Sequence, residues 1–228
     1  MDGWSEFILA GMLFLASHAI PSMPKLKAAL VRRLGPRGWV IAFSLLSTGL
    51  LFWVIYAAGR APYVEIWPQE IWARWLVNLA MPMAILLGSF GLGTPNPFAF
   101  EGRTTGFDPV HPGIAGLTRQ PLLWAIAIWA GAHLVANGDL AHVILFGAFA
   151  LFTAMGMRTL EARKRRQMGE TTWQRLSART AMIPGAALLA GRWRPQRWPS
   201  PIRLVAAVLV WAALYHLHTP VIGVSPQP

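Results

Sequence analysis

Long apolar stretches alternate with short polar or Gly/Pro-rich segments along most of the 228-residue chain. Each stretch approaches the ~20 residues that an α-helix needs to cross a bilayer. The stretches occupy roughly residues 5–22, 39–59, 71–92, 121–136, 139–157 and 201–219. The fourth is the shortest, and a further apolar patch at 183–191 is too short to cross. The pattern predicts an all-α membrane protein, a polytopic helical bundle of about six transmembrane helices.

Composition agrees with that prediction. Hydrophobic residues make up 55% of the chain, charged residues only 13%, and the mean hydropathy is +0.45. The sequence contains no cysteine, which excludes disulfides, iron–sulfur clusters, thiolate metal ligands and cysteine nucleophiles. The first residues lack a basic region, so the first apolar stretch is expected to be a retained helix rather than a cleaved signal peptide.

The net charge of +11 is segregated between the apolar stretches. Of the 20 basic residues, 17 fall after the first stretch, before the fourth, or between the fifth and the last, and Arg203 lies at the start of the last. These connections share one side of the membrane if the spans alternate. The positive-inside rule then places them in the cytoplasm and both termini on the non-cytoplasmic side. The predicted partner of the basic charge is therefore the lipid bilayer, with its anionic headgroups, and not nucleic acid.

The densest basic run is LEARKRRQMGETTWQRLSART at residues 160–180. Its composition predicts a basic helix that lies along the cytoplasmic membrane surface.

Two histidines, His18 and His133, lie inside apolar stretches. Ionisable side chains are costly in hydrocarbon and tend to be functional where they occur. Imidazole is well suited to ligate a haem iron, so the pair is a candidate metal-ligand and cofactor-binding set. The alternative is a neutral histidine that hydrogen-bonds a carbonyl of a neighbouring helix.

The segment after His133 allows two interpretations. Asn137 shares a helical face with His133, so that Asn137 or Asp139 could orient the imidazole as a cofactor-binding partner. Alternatively, Asn137-Gly138-Asp139 is a turn in which Asp139 caps the next helix and pairs locally with His142.

Several longer motifs carry a family resemblance. They are SHAIPSMPKLKAALVRRLG at 17–35, FSLLSTGLLFWVIYAAGRAPYVEIW at 43–67, PNPF at 95–98 and the run from FDPVHPGI to AHLVANGDLAHVILFGAFAL at 107–151. Together they resemble the NnrU family of integral membrane proteins, which also contains the zeta-carotene isomerases. The resemblance covers about residues 7–193 and leaves 201–219 as an extra C-terminal span. It implies one NnrU-like transmembrane domain over residues 1–228.

The resemblance implies an inner-membrane protein linked to denitrification or nitric-oxide metabolism. The isomerase branch holds haem b through histidines, and its ligand positions fall on His18 and His133. Arg119 either anchors its helix at the membrane edge or binds an anionic group such as a haem propionate. This chain has Gln120 where the family usually has a histidine, and an amide can form hydrogen bonds but cannot act as a base or a metal ligand in place of that histidine. The alternatives are a haem-dependent carotenoid isomerase, with a hydrophobic polyene as partner, and a non-enzymatic assembly factor that binds reductase subunits.

A fainter resemblance concerns the second half of the chain. Two features are similar to the C-terminal half of isoprenylcysteine methyltransferase-type membrane enzymes: Arg119 and Pro121 at a helix entrance, and then, after a basic helix, Glu161, Gly169, Trp173 and Pro184. Those enzymes bind S-adenosylmethionine at the cytoplasmic face. Gln120 again stands where the relevant histidine is expected.

Overall fold

The computed structural model describes residues 3–100 and 102–228, which fold into helices with two isolated backbone bridges outside them. The helices are α1 (Gly3–Ala19), α2 (Pro24–Arg60), α3 (Ile71–Gly91), α4 (Ile114–Leu117), α5 (Pro121–Ala136), α6 (Leu140–Met168), α7 (Glu170–Ser177), α8 (Ala186–Leu189) and α9 (Pro201–Ile222). The predicted all-α membrane fold is confirmed. The count of six spans is not confirmed, because in the described chain four helices, α2, α3, α6 and α9, are long and apolar enough to cross a membrane.

The other two predicted spans form shorter helices. α1 has 17 residues and α5 has 16, slightly below the length that reliably crosses the hydrocarbon core. α5 begins with Pro121 at its first position, where the missing N–H is harmless.

The chain divides into two units, of which the first contains residues 1–68 and Gly138–Leu145. Its main packing is α1 against α2. Glu6 on α1 accepts a hydrogen bond from Trp53 Nε1 at 3.1 Å and lies 3.8 Å from the Arg60 guanidinium. The basic residues that follow α1 lie mostly in the first turns of α2, which is kinked at Gly35, where φ is +72° and Pro36 follows. The connection predicted there is therefore largely helical.

The second unit contains Gln69–Asn137 and Phe146–Pro228. Here α3 packs against both α5 and α9. The end of α3 approaches the start of α5 so closely that a Cβ on Gly91 would lie 2.7 Å from the Pro121 ring. Arg203 in the first turn of α9 donates to the carbonyls of Ser89 and Leu92, which ties α9 to the end of α3.

Many large apolar side chains remain exposed on the long helices. In α9 only Ala207 is buried, and Ile202, Leu209 and Val208 are each at least 60% exposed. Exposed apolar faces of this extent fit contact with lipid, which is as apolar as the side chains themselves.

The basic run at 160–180 differs from its prediction. It does not form one surface helix: α6 continues from its apolar part to Met168, and α7 begins after Gly169, which adopts φ +77°. Glycine accepts this left-handed backbone region without a Cβ penalty, so the chain can turn there. The apolar patch at 183–191 contains the four-residue helix α8.

Candidate functional site

His18 lies in the last turn of α1, in the first unit. Its Nδ1 is 2.8 Å from the Phe14 carbonyl oxygen, and a carbonyl can only accept, so Nδ1 carries the hydrogen. The Ser17 hydroxyl lies 3.2 Å from the same nitrogen. The rings of Phe14 and Phe43 have their centroids 4.2 and 5.5 Å from the imidazole. The side chain is thus held by its own helix and flanked by aromatic rings.

His133 lies in the last turn of α5, in the second unit. Its Nδ1 is 2.8 Å from the Trp129 carbonyl oxygen, one helical turn earlier. The Trp129 indole and the Phe146 ring from α6 lie 5.6 and 5.1 Å from the imidazole, centroid to centroid. Trp129 also contacts Phe146 and Phe149, so the histidine borders an aromatic cluster.

The two histidines have matching local environments. In each, Nδ1 donates to the carbonyl of the residue four positions earlier, and that residue is aromatic. In each, a phenylalanine of the following long helix lies beside the ring. In each, the Nδ1 hydrogen bond fixes the direction of the ring, and Nε2 is the nitrogen through which a histidine held in this way would bind a haem iron.

The residues after His133 match the structural interpretation of that segment. The Asn137 amide donates to the backbone carbonyl of His133 at 2.8 Å. Asp139 Oδ1 accepts from the His142 backbone N–H at 3.2 Å, and the His142 ring lies 2.7 Å from Oδ2. The predicted N-cap at Asp139 and its local pairing with His142 are confirmed.

Arg119 lies at the entrance of α5, and its guanidinium is largely buried, with the side chain 12% exposed. Nη2 forms an ion pair with Glu161 of α6, and Nη1 donates to the Thr180 hydroxyl at 3.0 Å. The guanidinium carbon also lies over the rings of Trp173 and Phe98, at 5.5 and 5.9 Å from the centroids. Arg119 was predicted either to anchor its helix or to bind an anion, and in the structure its partner is the carboxylate of Glu161.

Two neighbouring polar side chains, Gln120 and Asn96, form hydrogen bonds within the same cluster. Gln120 is 1% exposed and donates to the Phe98 carbonyl at 2.9 Å. Asn96 donates to the Arg119 carbonyl at 3.0 Å, and its Oδ1 accepts from the backbone of Phe98 and Ala99. Sequence reasoning assigned no role to Asn96 or Thr180; the PNPF motif was the one signal that marked Asn96.

The cluster brings together residues of the second resemblance. Arg119 and Gln120, Glu161, and Trp173 come from three separate segments of the chain but lie around one buried centre in the second unit. A hydrophobic core of Phe98, Ala115 and Trp173 supports them.

Among residues 3–100 and 102–228, no group of three or more His, Asp or Glu side chains is arranged to hold an ion. Haem differs, because the porphyrin supplies four nitrogens and the protein only one or two axial ligands.

A family model described as NnrU protein matches residues 6–226, which is nearly the whole chain and includes α9. No curated protein and no solved structure matches.

Proposed function

Because the chain belongs to the NnrU family, we propose that it is a multi-pass inner-membrane protein that binds haem b through His18 and His133 and acts in denitrification or nitric-oxide metabolism. The observation that carries the haem proposal is the matching environment of the two imidazoles. Each ring is fixed through Nδ1, and each has aromatic neighbours of the kind that can contact a porphyrin face.

The protein's own contribution would be orientation and exclusion of water. The Phe14 and Trp129 carbonyls set the tautomer and the ring direction, which removes rotamers that cannot ligate. Bound haem would supply an iron centre for one-electron or nitric-oxide chemistry.

The first test is the visible spectrum of detergent-purified protein, oxidised and dithionite-reduced, together with haem content per chain. The variants are His18→Ala and His133→Ala, and His216→Ala on the exposed part of α9 is the control. We expect a Soret band and sharp reduced α and β bands in the wild type and in the control. Loss of all haem in both variants means one shared iron, whereas a half loss in each means one haem per histidine.

Two outcomes would overturn the haem proposal. One is a colourless wild type after expression with added haem, which would favour the assembly-factor function. The other is a haem spectrum that neither His18→Ala nor His133→Ala changes, which would place the ligands elsewhere.

The physiological part of the proposal has a separate test. We expect that deletion of the gene lowers nitrite- and nitric-oxide-reductase activity during growth on nitrate, and that the His18→Ala/His133→Ala variant fails to restore it. Normal reductase activity with an altered carotenoid isomer pattern would instead support the isomerase alternative.

A further inference from the structure

A positively charged groove lies beside the Arg119 cluster, entirely within the second unit. It consists of two adjoining pockets of about 620 and 320 Å3, and Glu161 and Met182 line both. Five arginines line the two pockets, against two glutamates, Glu161 and Glu170; the arginines are Arg119, Arg158, Arg165, Arg166 and Arg192. The groove is independent of the histidines discussed above.

The helical repeat of α6 explains why its part of the groove is basic. Arg158, Arg165 and Arg166 recur at spacings of seven and eight residues, which places them on one face together with Glu161 and Ala162. Arg163 lies on a different face of the same helix and does not line either pocket.

Not all of this charge is neutralised by the protein. Arg119 is paired with Glu161, and Arg165 forms a bidentate pair with Glu170 through two contacts of 2.6 Å. Hydrogen bonding from Arg165 lowers the pKa of the Glu170 carboxyl, so this pair is fully charged at neutral pH. Arg158 and Arg166 have no hydrogen bond or ion pair within the described part of the chain. Two guanidinium groups therefore remain to bind an anion in the groove.

Two polar atoms of the Arg119–Glu161 ion pair, Glu161 Oε2 and Arg119 Nε, are shielded from solvent and have no hydrogen-bond partner among the described residues. Because no water-sized group reaches them, they belong to the interior of the cluster and not to the ligand-accessible surface of the groove. The remaining walls include the apolar side chains of Ala162, Met182 and Ile183, which suit the carbon skeleton of a ligand.

We propose that this groove binds the phosphate group of an anionic phosphate ester, as in a glycerophosphate. Arg158 and Arg166 bind the phosphate oxygens. Such a group occurs both in the headgroup of an anionic phospholipid and in soluble polyol phosphates. Guanidinium groups suit it because they bind phosphate with two donors at once.

The test is a binding titration on the full-length protein in a neutral detergent, followed by native mass spectrometry. The probe is dioctanoyl phosphatidylglycerol, with dioctanoyl phosphatidylcholine as the zwitterionic comparison and glycerol 3-phosphate as a soluble competitor. The groove variant is Arg158→Gln/Arg166→Gln. The matched control is Arg163→Gln, which removes an exposed arginine from the same helix outside the groove.

We expect the groove variant to weaken phosphatidylglycerol binding by about tenfold or more, since it removes two charge-assisted phosphate contacts. Arg163→Gln should change the affinity for phosphatidylglycerol less than about twofold, because the Arg163 charge is exposed and screened by solvent. Displacement by glycerol 3-phosphate identifies a soluble phosphate ester as the natural ligand class. Lack of displacement identifies a lipid headgroup.

Three results would overturn the proposal. Equal weakening by Arg163→Gln would show general attraction to basic charge. Phosphatidylcholine has the same phosphodiester with a cationic choline attached, so equal binding of this lipid would show that the net negative charge of the headgroup is not recognised. Absence of saturable binding for both phosphatidylglycerol and glycerol 3-phosphate would show that the groove is not a phosphate site.

Discussion

Arg119 shows how one buried charge organises its surroundings. Its carboxylate partner, Glu161, lies 42 positions away in the sequence. A guanidinium removed from water is stable only when its charge is compensated. Here the Glu161 carboxylate, the Thr180 hydroxyl and the faces of Phe98 and Trp173 compensate it. The cluster therefore joins the entrance of α5 to α6 and α7, at one wall of the basic groove.

This arrangement predicts a large effect of removing the carboxylate. We expect Glu161→Ala to lower the free energy of unfolding by about 3 kcal/mol, because it leaves a mostly buried guanidinium unpaired. Glu161→Gln should cost less, since the amide oxygen still accepts a hydrogen bond. The measurement is the thermal midpoint of the detergent-purified protein, with exposed Glu70→Ala as the control. A midpoint for Glu161→Ala equal to that of Glu70→Ala would contradict the structural importance of the pair.

Gln120 has a structural role of its own, whatever the family histidine does elsewhere. Its amide satisfies the Phe98 carbonyl inside the buried cluster. Gln120→Leu should destabilise the protein by about 1–3 kcal/mol, because that carbonyl loses its donor. Gln167→Leu on the exposed part of α6 should be close to neutral in the same thermal assay. If both substitutions behaved alike, the Gln120 hydrogen bond would contribute nothing measurable.

Among the elements, the connection between α5 and α6 is fixed by close backbone contact in the first unit. The Gly138 carbonyl accepts from the N–H groups of Ile66 and Trp67, at 2.7 and 3.1 Å, and the Leu140 N–H donates to Val64. A Cβ on Gly138 would lie 1.8 Å from the Trp67 carbonyl oxygen. Since backbone cannot move aside as a flexible side chain can, a glycine is required there.

Gly138→Ala should therefore break these hydrogen bonds and cost about 1–3 kcal/mol, as is usual for overpacked sites. Gly131→Ala is the matched control, because a Cβ at Gly131 in α5 meets nothing within 4 Å. Alanine there removes a flexible helix position and should be neutral or stabilising by up to about 1 kcal/mol. Equal thermal midpoints for the two variants would show that the turn can relax around a Cβ.

The basic segment after α6 shows how a single residue divides an element. Helical propensity and charge favour one continuous helix over residues 160–180, and that prediction is wrong at Gly169. The turn allows Trp173 on α7 to pack on Phe98, with ring centroids 5.2 Å apart. The burial of two aromatic rings outweighs the small propensity gain of a continuous helix.

For the whole molecule, the asymmetry of the basic residues predicts an orientation that can be measured directly. The chain has no cysteine, so single cysteines report without background. Exposed Gln69→Cys, between α2 and α3, should react with an impermeant maleimide in intact cells, whereas exposed Gln167→Cys at the end of α6 should react only after permeabilisation. The reverse pattern would mean that the positive-inside rule fails for this protein.

Patterns of short range determined much of the fold. Apolar stretches of helical length predicted the all-α membrane class and the positions of α3, α5 and α9. The reason is that a chain segment in lipid must satisfy its own backbone N–H and C=O groups, and an α-helix does so within one segment. The Asp139 cap was also predictable, because a cap and the helix it begins are adjacent in sequence. Ordered motifs were sufficient for the family, which the whole-chain match confirms.

The tertiary structure decided what depends on distant residues. The pairing of Arg119 with Glu161, the role of Asn96 and the groove beside them arise from contacts between segments that no local pattern connects. The end of α6 was also not marked by the apolar pattern, since this helix extends past its apolar part to Met168. Sequence periodicity shows which faces avoid water, whereas the partner of a buried charge is chosen by the packing that brings an opposite charge within reach.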